Sequence, residues 1–446
     1  MKAYSFPRGG ILLEGSAVPS GLDSSSVAFL PATSVIPLSR HPGRALRPLV
    51  AEGDSVREGM PVGRDPGGGS AVAHASVPGR VAGVARWEDG EGRVCEGLLV
   101  RMEGSFDRLG AEGSDFLSEL PGAGMGCAEL AALLGECGVV EMEGSGAPVA
   151  PMAAAFGAAR GPKALVARCV FDDPWLVADR VLCRERLEDV VDGCFAVAEA
   201  CGAGRVIFAF SRADRRLGAD MLAEASRRQI PSSLMLTGSR YPQRGRREMA
   251  IALRAFARRE RLELGALLML GPATLAAARD AVRRRLPVLE RYVAVGGSAV
   301  RRPRVMRARI GKRIGDLFEE CGGLSDGPLR VVSGSPFFGG RVRYLDEPVG
   351  KASYAFVAMA EPSPARRPDR GCISCGECRR VCPVGLDPEE LFKAASAPGG
   401  GQAFSAAFFG GNGEGGLEGC QGCGCCELVC PSRLPLPAVI LGGRHG

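Results

Sequence analysis

No stretch of this 446-residue chain is both long and apolar enough to cross a bilayer. The longest candidate, LGALLMLGPATLAAA at 264–278, is broken by Gly271 and Pro272. It falls short of the ~20 residues a spanning helix needs. The opening MKAYSFPRGGILLEG lacks the apolar core and small-residue cleavage site of a secretory leader, so a cytoplasmic location is expected. Any membrane contact, on the inner face, would come through partners. A surplus of one charge is also missing: 56 basic against 50 acidic residues leaves +6. That is modest at this length and gives no sign of a nucleic-acid binder. Lysine is scarce, with only Lys2, Lys163, Lys312, Lys351 and Lys393 among the basic residues. Arginine-rich coding explains that bias without a functional argument.

What is present is ordinary globular material, 46% apolar and 24% charged, enough for about three domains at ~150 residues each. Residues 29–100 read as short strands and turns. PLVAEGDSVREGMPVGR (48–64) and AVAHASVPGRVAGV (71–84) resemble the two halves of a biotinyl/lipoyl-type barrel sandwich, with EGDSV and PGRV as its hairpins. No lysine lies there to carry biotin or lipoate, so the module is expected to dock or scaffold. His41 and His74 are expected on its loops as polar surface residues rather than metal ligands.

From about 125 to 285 short apolar runs alternate with amphipathic segments, the pattern of a parallel α/β sheet. CAELAALLGEC reads as a helix, GVVEM (138–142) as a strand, KALVARCVF as a strand and LEDVVDGCFAVAEACG as a helix. RVIFAF, IPSSLML and the helices LGADMLAEASRRQ and RGRREMAIALRAFARRERL continue the alternation. Within GVVEMEGSGAPV (138–149) the glycines suggest a phosphate-cradling loop. Glu141 and Glu143 stand against that reading, opposing a phosphate by roughly 1 kcal/mol each in water and more when desolvated.

Seventeen cysteines are unevenly spread. Nine crowd into 372–430, a distribution that points to a reducing compartment and metal–sulfur chemistry rather than a disulfide scaffold. GCISCGECRRVCP and GCQGCGCCELVCP each contain C-x2-C-x2-C-x3-C-P, the spacing of a bacterial two-cluster ferredoxin. Three thiolates on a tight loop reach three corners of one [4Fe–4S] cube, and the fourth is carried to the other cube. The expected sets are Cys372, Cys375, Cys378 and Cys430 for one cluster, and Cys420, Cys423, Cys426 and Cys382 for the other. Zinc also takes four thiolates, but usually from two separate C-x2–4-C knuckles. Cys425, inside the second run, is read either as a small buried neighbour or as a redox-active thiol. A linker rich in Pro, Arg and Ser (360–371) precedes this module. Between the runs, DPEELFKAASA (387–397) reads as a helix with Asp387 as N-cap and Pro388 at its first position, followed by a glycine-rich loop (398–416).

With these segments in order, the chain resembles the RnfC family, the peripheral iron–sulfur subunits of Rnf electron-transport complexes, a family that includes proline reductase-associated proteins. The stretches that carry the resemblance are IPLSRHPGRALRPLVAEGDSVREGMPVG (36–63), PWLVADR (174–180), RYPQRGRREMAI (240–251), the segment 289–323, VVSGSPFFGG (331–340) and both cysteine runs. The resemblance implies a multidomain α/β and β protein. Its parts would be a barrel-sandwich hybrid domain (1–110), a Rossmann-like α/β domain of the complex-I flavoprotein type (118–285), an SLBB β-grasp domain (288–345) and a ferredoxin-like domain with two [4Fe–4S] clusters (362–446). In that family NADH reduces FMN, which splits the electron pair for clusters that accept one electron at a time. The family's flavin loop matches here at Gly144, Gly146 and Pro148, and Asp173 matches a further contact. Glu141 and Glu143 replace glycines, Ala147 an aromatic, Val149 a hydroxyl residue, and Arg168 and Phe171 polar contacts; Arg246 stands where the family tends to have an acid. Arg168 could compensate by pairing with a glutamate or a phosphate. Arg301, Arg302, Arg304, Arg307, Arg309 and Arg313 form either a solvated face or a dock for an acidic redox partner.

The implied function is electron relay through two [4Fe–4S] clusters between redox partner proteins, either Rnf-type membrane subunits or a soluble reductase. An NADH-oxidising FMN subunit and a scaffold with structural clusters are the alternatives. The first expected outcome is elemental: about eight irons and eight sulfides per chain. Four irons or fewer, or zinc in their place, would overturn the two-cluster reading.

Overall fold

The computed structural model describes residues 2–13, 22–40, 44–67, 71–90, 92–104, 124–327, 329–337, 339–360, 371–396 and 420–442. His41, the linker at 361–370 and the glycine-rich loop at 398–416 lie outside them.

The central unit is a five-stranded parallel sheet in the order Ala3–Tyr4, Ser232–Thr237, Arg205–Ser211, Lys163–Cys169, Ala266–Leu270. The strand centres are continuous apolar runs such as Val206–Phe210, buried on both faces, which is why they form a helix-covered parallel sheet. Helices α1 (Cys127–Glu136), α2 (Val149–Ala158), α3 (Val177–Glu185), α4 (Leu187–Ala200), α5 (Arg215–Ala225), α6 (Arg246–Glu260) and α7 (Pro272–Arg284) surround it. One face packs Leu165, Phe208 and Phe210 against α4 and α7, and the other packs Val166, Ile207 and Met235 against α6.

The expected strand at 138–142 is absent. The segment forms a loop between α1 and α2, with only an isolated bridge between Val140 and Pro148. Gly138 takes φ +63°, which turns the chain away from an extended path. The Glu141 N–H then donates to the Ala147 carbonyl at 2.7 Å and the Gly146 N–H to the Glu141 carbonyl at 3.0 Å. These local bonds use the groups that a strand would have offered to a sheet.

The barrel sandwich is built from Thr33–Pro37, Val94–Met102, Gly79–Glu88 and Ser55–Val56 in one sheet and Arg47–Pro48, Pro61–Arg64 and Val72–His74 in another. Its core contains Ile36, Leu38, Val62, Val81 and Leu98. His74 is not on a loop, as the sequence suggested, but ends a strand and is buried. Burial pushes its imidazole well below the usual histidine range, and nearby Lys351 adds to the effect.

A mixed six-stranded sheet follows, ordered Gly340–Arg341, Leu329–Ser333, Ala355–Ala360, Glu290–Gly296, Arg304–Arg309, Ser25–Val27. Two of its strands come from outside 288–345: Ser25–Val27 at one edge and Ala355–Ala360 in the interior. Ala3–Tyr4 likewise joins the α/β sheet rather than the barrel. Of the six arginines singled out in this region, Arg309 pairs with Glu58 of the barrel at 2.6 Å and Arg313 with Asp316 and Asp346. Arg301 and Arg302 are exposed.

Arg291 joins these units. It lies in the mixed sheet with its side chain fully buried, and its Nη2 donates to Asp179 of α3 at 2.9 Å and to the Met142 carbonyl at 3.2 Å. Asp179→Asn, which leaves the guanidinium uncompensated, is expected to cost about 3–5 kcal/mol in guanidinium unfolding. Combining Asp179→Leu with Arg291→Met should recover most of that loss. A change within roughly 0.5 kcal/mol for Asp179→Asn, as at an ordinary surface site, would mean that the pair does not hold the units together.

Candidate metal centre and adjoining cavity

The two cysteine runs fold as copies of each other. Ser374 and Gly422, Gly376 and Gly424, and Gly385 and Arg433 occupy equivalent places in the motif, and all six have left-handed backbone with φ between +50° and +79°. In each run the helix that follows the second cysteine starts immediately after that glycine, at Glu377–Val381 and at Cys425–Leu428. The same sequence spacing thus gives the same chain path twice, as a two-cluster fold requires. Asp387 caps the helix Pro388–Ser396 by accepting from the Glu390 N–H at 3.3 Å, as expected. Cys378, Cys382, Cys420, Cys426 and Cys430 share an apolar cluster with Leu386, Leu391, Leu436 and Ile440.

The donors suit iron–sulfur chemistry. The Leu386 N–H donates to Cys382 Sγ at 3.2 Å, a bond that favours a thiolate. The Cys425 thiol donates to Cys423 and holds that thiol below its ordinary range, again favouring the ligand form. Cys425 itself is buried, with its Sγ 3.7 Å from the Tyr241 carbonyl. Among the described residues no three His, Cys, Asp or Glu side chains converge on a single-ion site. Thiolates on a cube sit at separate corners, farther apart than four ligands around one zinc.

The two runs differ in surroundings. Cys375 of the first run is exposed. The second faces inward, where Gln421, Gly422 and Cys423 line a cavity of about 600 Å³. The opposite walls are Glu141, Glu143, Gly144 and Arg168, then Tyr241–Arg246, then Ser333, Gly334, Gly339 and Gly340. Tyr241 spans the gap: its hydroxyl donates to the Cys423 carbonyl at 2.8 Å and its ring packs on Phe337 with centroids 5.8 Å apart.

The glutamates of the 138–149 loop do not present free charge to this cavity, which corrects the repulsion expected from the sequence. Glu143 turns away to α7, whose N-cap Gly271 has no side chain to offer. Its carboxylate accepts from the Thr274 N–H at 2.9 Å and the Thr274 hydroxyl at 2.6 Å, so it caps the helix from another segment. Glu141 sits between Arg168 (3.0 Å) and Arg246 (3.4 Å) and accepts from the Ser145 hydroxyl at 2.6 Å. Burial alone would raise its carboxyl, but Ser145 and the two guanidiniums together hold it below the usual range. Arg168 is thus the compensating cation. Its Nε is buried without a partner among the described residues.

Of the loop residues singled out in the sequence, only Gly144 lines this cavity. Gly146 lines an adjoining cavity of about 340 Å³ beside His74 and Lys351. Pro148 is the N-cap of α2. Asp173 is buried and caps the turn Pro174–Leu176 by accepting from the Trp175 N–H at 2.9 Å. Tyr241, Arg244 and Glu248 were not singled out as site residues, although the RYPQRGRREMAI segment that contains them marked the region.

Domain families match along the chain in order: the RnfC barrel sandwich hybrid domain at 6–105, the Nuo51 FMN-binding domain at 134–259, the NQRA C-terminal domain at 292–343 and the 4Fe-4S dicluster domain at 369–434. The chain is 30% identical over 381 residues to the RnfC-type subunit of the ion-translocating oxidoreductase complex of Rhodobacter capsulatus, covering 81% of this chain and 69% of that protein. It belongs to the RnfC family.

Another similar protein is the corresponding subunit of a proton-translocating ferredoxin:NAD(+) oxidoreductase complex from Clostridium ljungdahlii, 25% identical with 86% and 83% of the two chains covered. Among solved structures, an air-oxidized NAD+-reducing [NiFe]-hydrogenase superposes with TM-score 0.48 at 15% identity, over 70% of this chain and 63% of that one. As the sequence implied, this RnfC-family chain joins barrel-sandwich, α/β, SLBB and dicluster parts, and the dicluster match extends over both cysteine runs.

Next to the cavity, burial raises Asp172 to about 6, although the Gln243 N–H bond and Arg244 oppose the shift. The folded state then takes up a proton before the unfolded chain does. This group's contribution to stability is full below about pH 4 and is lost as pH rises through about 6, a swing of about 3 kcal/mol at most. Asp172→Asn should therefore gain stability relative to the parent between pH 4 and 7 in denaturant titrations. A difference that stays constant with pH would contradict this assignment.

Proposed function

We propose that this chain is the peripheral electron-relay subunit of an Rnf-type ion-translocating oxidoreductase complex, passing single electrons between redox partner proteins. The ligand sets are Cys372, Cys375, Cys378 and Cys430 for an outer cluster and Cys420, Cys423, Cys426 and Cys382 for an inner one. The observation that carries the reading is the repeated fold of the two runs, with Cys423 on the wall of a buried cavity and Cys375 exposed. A [4Fe–4S] cluster accepts and donates one electron at a time. The chain's own part is to hold the thiolates, to donate to Cys382 and Cys423, and to keep the inner ligands dry behind Tyr241 and Phe337. Among the described residues no helix is long and apolar enough to cross a membrane, so membrane attachment is assigned to partner subunits.

The cavity supports a second reading, in which electrons enter through FMN reduced by NADH. Its volume suits a flavin-sized ligand. Arg168, Arg244 and Arg246 would hold the phosphate, and the unpartnered Arg168 Nε is the feature that favours an anion there. Glu141 is the competitor, because its carboxylate already occupies two of those guanidiniums.

Cys423→Ser tests the relay. Iron per chain should fall by about half, and the EPR signal of one reduced cluster should disappear while the other persists. Loss of neither signal would remove Cys423 from the ligand set. Adding NADH to the purified holoprotein separates the readings: bleaching of the clusters without a partner protein supports the flavin route, and unchanged clusters support entry from a partner.

A further inference from the structure

Eight cysteines lie outside the two runs, and in one pair of them the sulfurs are close together with a route to solvent. Cys127 Sγ is 3.0 Å from Cys201 Sγ. That is inside ordinary sulfur contact and about 1 Å beyond the length of a disulfide bond. Cys169 and Cys183 also approach, at 3.8 Å, but both are sealed in the core beneath α4.

The pair is brought together by helix ends. Cys127 is the first residue of α1, after the N-cap Gly126, and Cys201 is the C-cap of α4. Both thiols point toward the Ala153 carbonyl in α2, at 3.2 Å and 3.8 Å. Gly157, one turn further along α2, lies directly against Cys127, where a side chain would collide with the sulfur. Small residues on one face of α2 therefore let three helices meet at the two sulfurs. Cys127 is partly exposed and Cys201 is buried. Burial raises the Cys201 thiol strongly, with the Cys127 contact adding to it and Lys163 partly opposing it. The two thiols thus divide into one that a reagent can reach and one that waits behind it.

We propose that Cys127 and Cys201 are a reversible dithiol–disulfide couple that is closed by low-molecular-weight disulfides and is separate from the iron–sulfur ligands. The Cys127 thiolate attacks one sulfur of the reagent RSSR, whose S–S bond breaks and releases one RS⁻. Cys201 Sγ then attacks Cys127 Sγ in the mixed disulfide, gives up its proton, and displaces the second RS⁻. Two protein thiols are oxidised by two electrons and one RSSR is reduced to two RSH. The new bond would tie α1 to α4 in the domain that walls the cavity, and α1 runs directly into the 138–149 loop.

The test uses anaerobically purified, cluster-loaded full-length protein, incubated in glutathione buffers from fully reduced to excess glutathione disulfide. The samples are acid-quenched, alkylated after unfolding and digested for mass spectrometry. The expected result is a Cys127–Cys201 linked peptide at least tenfold more abundant than glutathionylated Cys127, reversed on return to reduced glutathione. Cys169, Cys183 and Cys194 should remain alkylatable. In Cys201→Ser, glutathionylated Cys127 should accumulate instead. Wild-type protein that accumulates the mixed adduct, or that keeps both thiols free in excess glutathione disulfide, overturns the couple. Because the wild-type measurement decides by itself, a poorly folding variant does not rescue the proposal.

Discussion

The architecture depends on one buried cation. Arg291 leaves a strand of the mixed sheet and meets Asp179 on α3 and the Met142 carbonyl in the 138–149 loop, with its side chain wholly withdrawn from water. A guanidinium in that position is tolerable only with a carboxylate opposite it. The α/β unit, the mixed sheet and the cavity loop are therefore fixed to one another by the need to keep that charge neutralised. Beside it, Glu143 reaches the N-terminus of α7 through Thr274, so the loop is pinned on both sides. The barrel attaches through a further ion pair, Arg309 with Glu58.

This anchoring gives the cavity its character. A glycine-rich turn with two acids would repel an anion if the acids faced outward. Here one carboxylate caps a helix and the other is held between Arg168 and Arg246, leaving guanidinium groups and backbone around an enclosed space. The inner cysteine run closes that space through Tyr241 and Cys423, whereas the first run reaches the surface at Cys375. The polarity from buried to exposed run comes from packing, since the two motifs are alike in spacing and in backbone.

Much of this was readable in the chain. The parallel strands are apolar runs with few polar interruptions, and the amphipathic helices between them fall where periodicity puts them. The cysteine spacing, the Asp387 cap and the Arg168–Glu141 compensation followed from local chemistry. GVVEM misled because its β-prone residues are too few to outweigh a left-handed Gly138 and the loop's internal hydrogen bonds. His74 misled because a short strand between turns looks like the turns themselves. The contributions of Ala3–Tyr4, Ser25–Val27 and Ala355–Ala360 to sheets made elsewhere were invisible, because two- and three-residue strands and distant pairings leave no periodic mark.

By itself the sequence determined the order of the parts, the α/β alternation and the eight thiols arranged for two clusters. Each of these is written in spacing over a few residues. The tertiary structure alone decided which run lies inside, where Glu141 and Glu143 point, and which scattered cysteines meet. Those depend on side chains brought together from distant segments: Glu143 with Thr274, Tyr241 with Cys423, Cys127 with Cys201. Distance in space fixes charge neutralisation and sulfur contact, and no local spacing in the chain encodes it.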